Sequence, residues 1–156
     1  MRNDSVLIFR KFEWSDLDAI SGIENRSFEV GPYSGEEIID MFANPLAFNY
    51  VAVDGDKIAG YVVAIPLDNS SADVESIAVD PSYQGSGVGS KLLAYIEEEM
   101  KARGFSLSVL EVREKNQEGL KFYEKNGYKV IEKLNNYYSE HFRESRHALR
   151  MTKILK

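Results

Sequence analysis

Apolar residues recur along the chain with two periods, one typical of strands and one typical of helices. Runs rich in β-branched and aromatic residues predict strands, and apolar residues three or four positions apart predict helices. The predicted strands are residues 6–12, 48–53, 57–65, 73–79, 105–113, 128–134 and 146–155. The predicted helices follow Trp14, follow Ser34, and cover residues 90–103 and 116–126.

The order of these elements is β-α-α-β-β-β-α-β-α-β-β, and it indicates the fold class. Three connections join strands directly and one passes through two helices, so the chain is not a repeating βαβ protein. We therefore expect an α/β (α+β) fold with a central mixed sheet and helices on both faces. A length of 156 residues suits one domain, and we expect it to cover residues 1–156.

The composition excludes several kinds of chemistry. The chain has no cysteine, which rules out disulfides, zinc–thiolate sites and a cysteine nucleophile. Its two histidines, His141 and His147, offer few ligands for a histidine metal site, so we expect no metal. A formal net charge of -6 argues against general nucleic-acid binding, which needs a basic surface.

The apolar runs of the chain bear on the location of the protein. No apolar run reaches the length of a signal peptide core or a membrane span, so we expect a cytoplasmic protein without membrane contact. The sequence is compatible with a monomer or a homodimer.

A glycine-rich loop between a strand and a helix is the most informative local feature. Residues 84–89 read QGSGVG, and the next predicted helix follows directly. Glycines allow the backbone to aim several N–H groups at one point, and a helix N-terminus favours an anion. The spacing fits neither a Walker loop nor the dinucleotide fingerprint. By itself the loop indicates a phosphate cradle or a plain tight turn.

The same loop resembles motif A of the GNAT N-acetyltransferase superfamily, Q/R-x-x-G-x-G/A, through Gln84, Gly87 and Gly89. A second segment, residues 110–130, is similar to the following motif of that family. Its matching positions are Asn116, Phe122, Tyr123 and Gly127, while Gly119 stands for the usual alanine and Tyr128 for the usual phenylalanine. Within the superfamily, residues 23–28, 110–113 and 136–138 look most like the RimI-like N-terminal protein acetyltransferases.

The resemblance implies acetyl-CoA as the donor and direct transfer to an amine in a ternary complex. The residues implied for pyrophosphate binding are Gln84, Gly85, Ser86, Gly87, Val88, Gly89 and Ser90. Main-chain groups of Ile77, Ala78 and Val79 would align the thioester, and Asn116 would orient the donor. These strand residues also suit an ordinary sheet core, and Asn116 also suits a helix cap.

The resemblance also implies two catalytic residues, Glu111 and Tyr123. Glu111 would accept the proton of the attacking amine, with Glu75 or a water relay as alternatives. Tyr123 would protonate the departing thiolate, although a tyrosine in an apolar helix can equally be a core residue. Because the chain has no thiol, an acetyl-enzyme on cysteine is excluded.

Aromatic residues near turns are the candidates for the acceptor groove. Phe28, Tyr33 and Tyr138 are its candidate residues, and ordinary packing explains such aromatics equally well. Residues 139–147 form a longer, more charged segment than related chains have there. We expect the acceptor to be a protein or peptide N-terminus, including that of a ribosomal protein. A small-molecule amine and a non-catalytic acetyl-CoA-binding module are the alternatives.

Overall fold

The computed structural model describes residues 7–156, which contain seven strands, four α-helices and two short 3-10 helices. The strands are β1 Ile8–Arg10, β2 Phe48–Asp54, β3 Lys57–Pro66, β4 Ser71–Val79, β5 Leu107–Arg113, β6 Lys129–Leu134 and β7 Ala148–Ile154. The helices are α1 Leu17–Ser27, α2 Gly35–Ala43, α3 Val88–Ala102 and α4 Gln117–Lys125. The predicted order is confirmed, and Val6, the start of the first predicted strand, lies outside the described residues.

All seven strands form one mixed sheet in the order β1-β2-β3-β4-β5-β7-β6. The only parallel pair within this sheet of described residues is β4 with β5, and the other neighbours are antiparallel. Helix α3 connects the parallel strands, as a parallel pair requires a crossover. The expected mixed sheet is thus confirmed.

The two faces of the sheet bury two separate apolar clusters. On one face, α3 contributes Leu92 and Ile96, which pack against sheet residues such as Val62. On the other face, α1 and α2 contribute Ile23 and Ile38, which are almost completely buried against the sheet. Successive side chains of a strand point to opposite faces, so the sheet supplies both clusters at once. Helices therefore cover both faces, as the sequence predicts.

Strands β4 and β5 pair over only three residues and then separate. Their register runs from Ser71 opposite Leu107 to Asp73 opposite Val109. Beyond this point β4 continues to Val79 and β5 to Arg113 without pairing to each other. A gap therefore opens between the two strands toward their carboxyl ends.

A bulge in β4 lies at the start of this gap. Val63 pairs with Ser76 while Ala64 pairs with Val74, so Glu75 is an extra residue without a partner on β3. A bulge bends its strand and redirects side chains. Here it turns β4 where the two central strands part.

The segment between β6 and β7 contains a tight hairpin turn. Phe142 and Ser145 exchange two backbone hydrogen bonds, of 2.8 and 3.1 Å. Arg143 and Glu144 between them both have positive φ, 50° and 64°. The turn folds the segment back toward the end of β5. There the Ser145 hydroxyl donates to the carboxylate of Glu114, which directly follows the strand.

Among residues 7–156, no helix combines the length and the apolar character needed to cross a lipid bilayer.

Candidate active site

The edge of β4 along the gap has no partner strand, although the Val79 carbonyl there accepts a hydrogen bond from the Ser27 hydroxyl at 3.2 Å. Asp80 N–H donates to Ala59 O at 2.8 Å, which marks a hydrogen-bonded pair of the β3–β4 ladder. Hydrogen-bonded residues alternate along an antiparallel strand, so Ala78 also faces β3. Ile77 and Val79 face the opposite way, into the gap. Of the three strand residues predicted to align a thioester, these two therefore have main-chain groups directed toward the gap.

Free N–H groups also converge at the loop between β4 and α3. Inside the loop, Gln84 N–H donates to Pro81 O and Ser86 N–H donates to Tyr83 O, at 3.3 and 3.2 Å. The N–H groups that make no hydrogen bond to a described residue are those of Gly85, Gly87, Val88, Gly89 and Ser90. Together with the positive end of α3, they form a cradle for an anion.

The glycines of this loop permit its shape. Gly85 and Gly87 have φ values of 81° and 86°, in the left-handed region that favours glycine. Gly87 caps α3, and Val88 anchors the helix start with only 1% of its surface exposed. A Cβ on Gly89 would lie 3.1 Å from the Phe122 ring, so glycine allows α3 and α4 to approach closely. Helix α3 begins two residues earlier than predicted.

Three carboxyl groups meet where the gap begins. Glu111 of β5 is 12% exposed, and its Oε2 accepts a hydrogen bond from Arg150 Nε at 3.0 Å. Asp73 of β4 is 5% exposed, and its carboxyl is hydrogen-bonded to that of Glu111. Burial and this neighbouring charge raise the pKa of Asp73 to about 9, so it donates a proton to the bond with Glu111.

Glu75, the bulge residue, is the third carboxyl group. Its side chain remains in contact with solvent, but the surrounding protein and the charge of Glu111 raise its pKa above the usual range. Its carboxylate makes no ion pair within residues 7–156, whereas that of Glu111 is held by Arg150. Both predicted proton acceptors therefore lie at the gap, in different electrostatic surroundings.

Tyr123 projects from α4 with its hydroxyl free of hydrogen bonds to any described residue. Its ring packs against those of Phe122 and Tyr128, with centroids 5.2 and 6.1 Å apart. Burial raises its pKa, so the phenol stays protonated at neutral pH and can donate. Tyr123 therefore combines core packing with an available donor.

Asn116 serves as the N-cap of α4. Its Oδ1 accepts a hydrogen bond from Gly119 N–H at 3.0 Å. A Cβ at position 119 would lie 2.5 Å from the Asn116 side-chain amide nitrogen, so the cap would have to shift to accommodate any larger residue there. The capping role considered from the sequence is thus present, and a donor-orienting role stays a prediction.

Two of the three predicted groove aromatics lie close to this site. The Tyr33 hydroxyl donates to the Glu75 carbonyl at 3.4 Å. The Tyr138 ring lies 3.9 Å below the Arg113 guanidinium, and burial raises the pKa of Tyr138 to about 12. Phe28 ends α1 with 38% of its surface exposed and stacks on no other described aromatic ring.

Sequence patterns alone do not single out several members of this site. Asp73, Arg150 and Tyr137 are examples. Burial is the main cause that raises the pKa of Tyr137, and the charges of Glu111 and Asp73 raise it further. The available signal was an aspartate between the apolar residues Ala72 and Val74 of a strand. His147 has a structural role, because its Nδ1 accepts a hydrogen bond from Asn136 N–H at 2.9 Å. No group of three or more His, Cys, Asp or Glu residues within 7–156 could hold a metal ion.

The arrangement combines an anion cradle, a strand edge without a partner strand, carboxylates and a protonated phenol. The cradle suits a pyrophosphate, and the strand edge suits an extended chain with amide groups. The carboxylates can accept a proton, and the phenol can stabilise a departing anion. This set of groups fits acyl transfer from a phosphate-bearing donor.

Comparisons with known proteins agree with this chemistry. A model of the acetyltransferase (GNAT) family matches residues 14–128. The ribosomal protein bS18-alanine N-acetyltransferase of Escherichia coli K12 is 32% identical over 127 residues, covering 81% of this chain and 83% of that protein.

Solved structures extend the comparison to the whole fold. The crystal structure of Ard1 from Thermoplasma volcanium has a TM-score of 0.86 and 26% identity, covering 96% of this chain and 98% of that one. An aminoglycoside 6'-acetyltransferase type Ii has a TM-score of 0.81 and 27% identity, covering 96% and 97%.

The raised pKa of Asp73 predicts how its replacement changes stability. A carboxyl whose folded pKa is about 9 contributes stability below its unfolded pKa, near ~4, and loses it as pH rises toward 9. Asp73→Asn cannot ionise and still donates to Glu111. The variant should gain stability over the wild type, by up to about 1.4 kcal/mol per pH unit in this window. Urea unfolding at several pH values measures the difference.

Asp68→Asn is the matched control with the opposite sign. Asp68 is exposed, and hydrogen bonds from the Ser70 and Ser71 N–H groups lower its pKa. Asp68→Asn should therefore be less stable than the wild type at pH values above the usual pKa of an aspartate. A pH-independent difference for Asp73→Asn would contradict the assignment of a protonated Asp73.

Proposed function

Because the chain belongs to the acetyltransferase (GNAT) family, an N-acetyltransferase family that uses acetyl-CoA, we propose that it acetylates the N-terminal α-amine of a protein or peptide. The observation that carries the proposal is the cradle of free N–H groups beside a strand gap that is lined by carboxylates. The 32% identity to an enzyme named for the alanine of ribosomal protein bS18 supports this acceptor class.

The residues of the loop and of β4 fit acetyl-CoA, which supplies an activated acetyl thioester. The free N–H groups of Gly85 and residues 87–90 would hold the pyrophosphate, which explains how a chain of net charge -6 binds a polyanion. Main-chain groups of Ile77 and Val79 would align the pantetheine arm along the gap. An N–H group directed at the thioester oxygen would stabilise its developing charge by about 3 kcal/mol.

Glu111 would take the proton from the attacking amine. An α-ammonium has a pKa near ~8, so a carboxylate at the gap or a water relay from it suffices. Arg150 Nε donates to Glu111 Oε2 and places a positive charge beside this carboxylate. Glu75 is the second candidate, because it has no ion pair among the described residues and its raised pKa matches an amine more closely.

Tyr123 would donate to the departing thiolate of CoA. Its raised pKa keeps the proton on the phenol until negative charge appears on sulfur. Full transfer is uphill, since a thiol has a pKa near ~8.5, but a hydrogen bond alone stabilises the leaving group. The direct path also follows from the absence of cysteine, which leaves no thiol to carry the acetyl group.

The acceptor would enter between Tyr33 and Tyr138, the two groove aromatics at the gap. A small polycationic amine is the second candidate acceptor, and two observations favour it. An aminoglycoside acetyltransferase shares the fold at 27% identity, and the mouth of the gap carries the negative charges of Glu75 and Glu111.

A panel of acceptors tests the function. Acetyl-CoA is incubated with peptides that differ at the first two residues, with N-terminally blocked peptides that contain lysine, and with aminoglycosides and polyamines. A thiol reagent then measures released CoA, because the protein itself has no cysteine. We expect turnover of free N-terminal peptides, including those that begin with alanine. Turnover of small amines alone would support the second candidate, and binding without any turnover would contradict both.

Tyr123→Phe tests the leaving-group role. The change removes only the hydroxyl, so kcat should fall by about 100-fold while the KM for acetyl-CoA stays unchanged. Tyr95→Phe, on an exposed part of α3, is the matched control and should keep full activity. An unchanged kcat in Tyr123→Phe would show that solvent or another group protonates the thiolate.

Glu111→Gln and Glu75→Gln locate the base. If Glu111 accepts the proton, Glu111→Gln should lower kcat/KM by about 100-fold and abolish the acidic limb of the pH profile, while Glu75→Gln keeps this limb. Glu132→Gln breaks the other ion pair of Arg150 and serves as the control. The reverse pattern would assign the base to Glu75, and wild-type profiles in both variants would contradict a carboxylate base.

A further inference from the structure

Arg113, the last residue of β5, takes no part in the mechanism above. It follows Glu111 by two residues, so both side chains project from the same face of the sheet. Only 15% of the Arg113 side chain is exposed. A guanidinium that is withdrawn from water to this extent needs partners that compensate for its lost hydration. The identity of these partners therefore indicates what the residue does.

The segment between β6 and β7 supplies partners for Arg113. Its Nη1 donates to the Glu140 carbonyl at 2.9 Å, and its guanidinium carbon lies 3.9 Å from the centre of the Tyr138 ring. The Glu140 carboxylate is 3.9 Å from Nη2, and 56% of its side chain is exposed. Because an exposed ion pair at this distance contributes little, the ring and the carbonyl are the stronger contacts.

The backbone of Tyr138 is fixed as well. Its N–H donates to Arg146 O at 3.0 Å, and its carbonyl accepts a hydrogen bond from Arg146 Nε at 2.9 Å. Arg146 thus holds the main chain, while Arg113 holds the ring. The orientation of Tyr138, one of the predicted groove aromatics, therefore depends on both arginines.

The segment between α1 and α2 reaches the same arginine. The Tyr33 hydroxyl attaches this segment to β4, because it donates to the Glu75 carbonyl at 3.4 Å. Two residues earlier, Gly31 has a φ of 67°, and a Cβ there would lie 3.5 Å from both Arg113 Nη2 and Glu140 Oε1. The two groove segments therefore meet at the end of β5, beside the gap that separates this strand from β4.

We propose that Arg113 is a positioning residue of the acceptor site, which holds the Tyr138 ring and the Glu140 carbonyl and thereby fixes the segment between β6 and β7 where it meets Gly31. The proposal rests on the proposed acetyl transfer, since it concerns how the acceptor is bound. It assigns no contact between Arg113 and the reacting atoms. A planar guanidinium suits this role, because it can stack on a ring and donate to a carbonyl at the same time.

Arg113→Met removes both contacts and keeps an apolar stem. The acceptor KM of this variant should rise about tenfold, while kcat and the KM for acetyl-CoA stay within about twofold. Arg113→Lys keeps the charge without the planar fork, so its acceptor KM should lie between those of the wild type and Arg113→Met. The acceptor is the one that the panel identifies, whether a peptide or a small amine. An unchanged acceptor KM in Arg113→Met would overturn the proposal.

A double-mutant cycle shows whether Arg113 acts through Tyr138. Tyr138→Leu should raise the acceptor KM by itself, and adding Arg113→Met should change this KM by less than about twofold more. Two effects that simply multiply would mean that Arg113 acts on the acceptor by another path, and they would overturn the positioning role.

Exchange of the Tyr138 amide measures the proposed hold without any acceptor. This N–H donates to Arg146 O, so NMR-detected hydrogen exchange reports opening of the segment. Exchange should be about tenfold faster in Arg113→Met than in the wild type. Absence of turnover by the wild type would contradict the acetyl transfer, whereas unchanged Tyr138 exchange in Arg113→Met would overturn the hold by Arg113. The two failures are therefore distinguishable.

Arg143→Met is the matched control. Arg143 belongs to the same segment, but its Nη1 donates to Lys115 O at 3.4 Å and its guanidinium lies 4.9 Å from the Phe142 ring. Its replacement should leave both the acceptor KM and Tyr138 exchange unchanged. Equal effects of Arg143→Met and Arg113→Met would reduce Arg113 to one of several structural contacts and overturn its assigned role.

Glu140→Gln separates the ion pair from the other two contacts of Arg113. It removes the exposed carboxylate and keeps the carbonyl, so the acceptor KM should stay within about twofold of the wild-type value. An increase as large as that of Arg113→Met would overturn the assignment of the hold to the ring and the carbonyl.

Discussion

The early separation of β4 and β5 is the constraint on which the site depends. The two strands pair only from Ser71 to Asp73, and beyond this point their facing edges have no partner strand. Unpaired main-chain groups inside a sheet are costly unless a ligand or solvent meets them. The gap therefore exposes the edge of β4, brings Glu111 and Glu75 to its walls and leaves the anion cradle at its open end.

Two buried carboxyl groups, Asp73 at this gap and Glu24 on α1, lose their hydration when the chain folds. Burial raises the pKa of both Asp73 and Glu24, so each destabilises the folded chain in its ionised form. Glu97, elsewhere in the core, is satisfied by a tyrosine and a lysine. Glu97 is thus satisfied within the core, whereas ionisation of Asp73 or Glu24 lowers the stability of the folded chain.

Local patterns predicted the glycine loop and the helix that follows it, because their geometry depends on neighbouring residues. Gly85 and Gly87 adopt the left-handed conformations that only glycine takes readily, and α3 begins directly after them. The order of elements was also predictable from periodicity. The direction of each main-chain group was not, since the ladder with β3 decides that Ala78 faces inward. Likewise, the bulge at Glu75 follows from strand register, which the sequence of β4 alone does not reveal.

The sequence by itself determined the elements, their order, the glycine loop and the absence of any cysteine chemistry. These properties depend on backbone conformation and composition, which are local. Only the tertiary structure decided that Asp73 and Arg150 both contact Glu111. These partners are far apart in the chain. Their charges and hydrogen bonds arise only when the sheet and its helices exclude water around them.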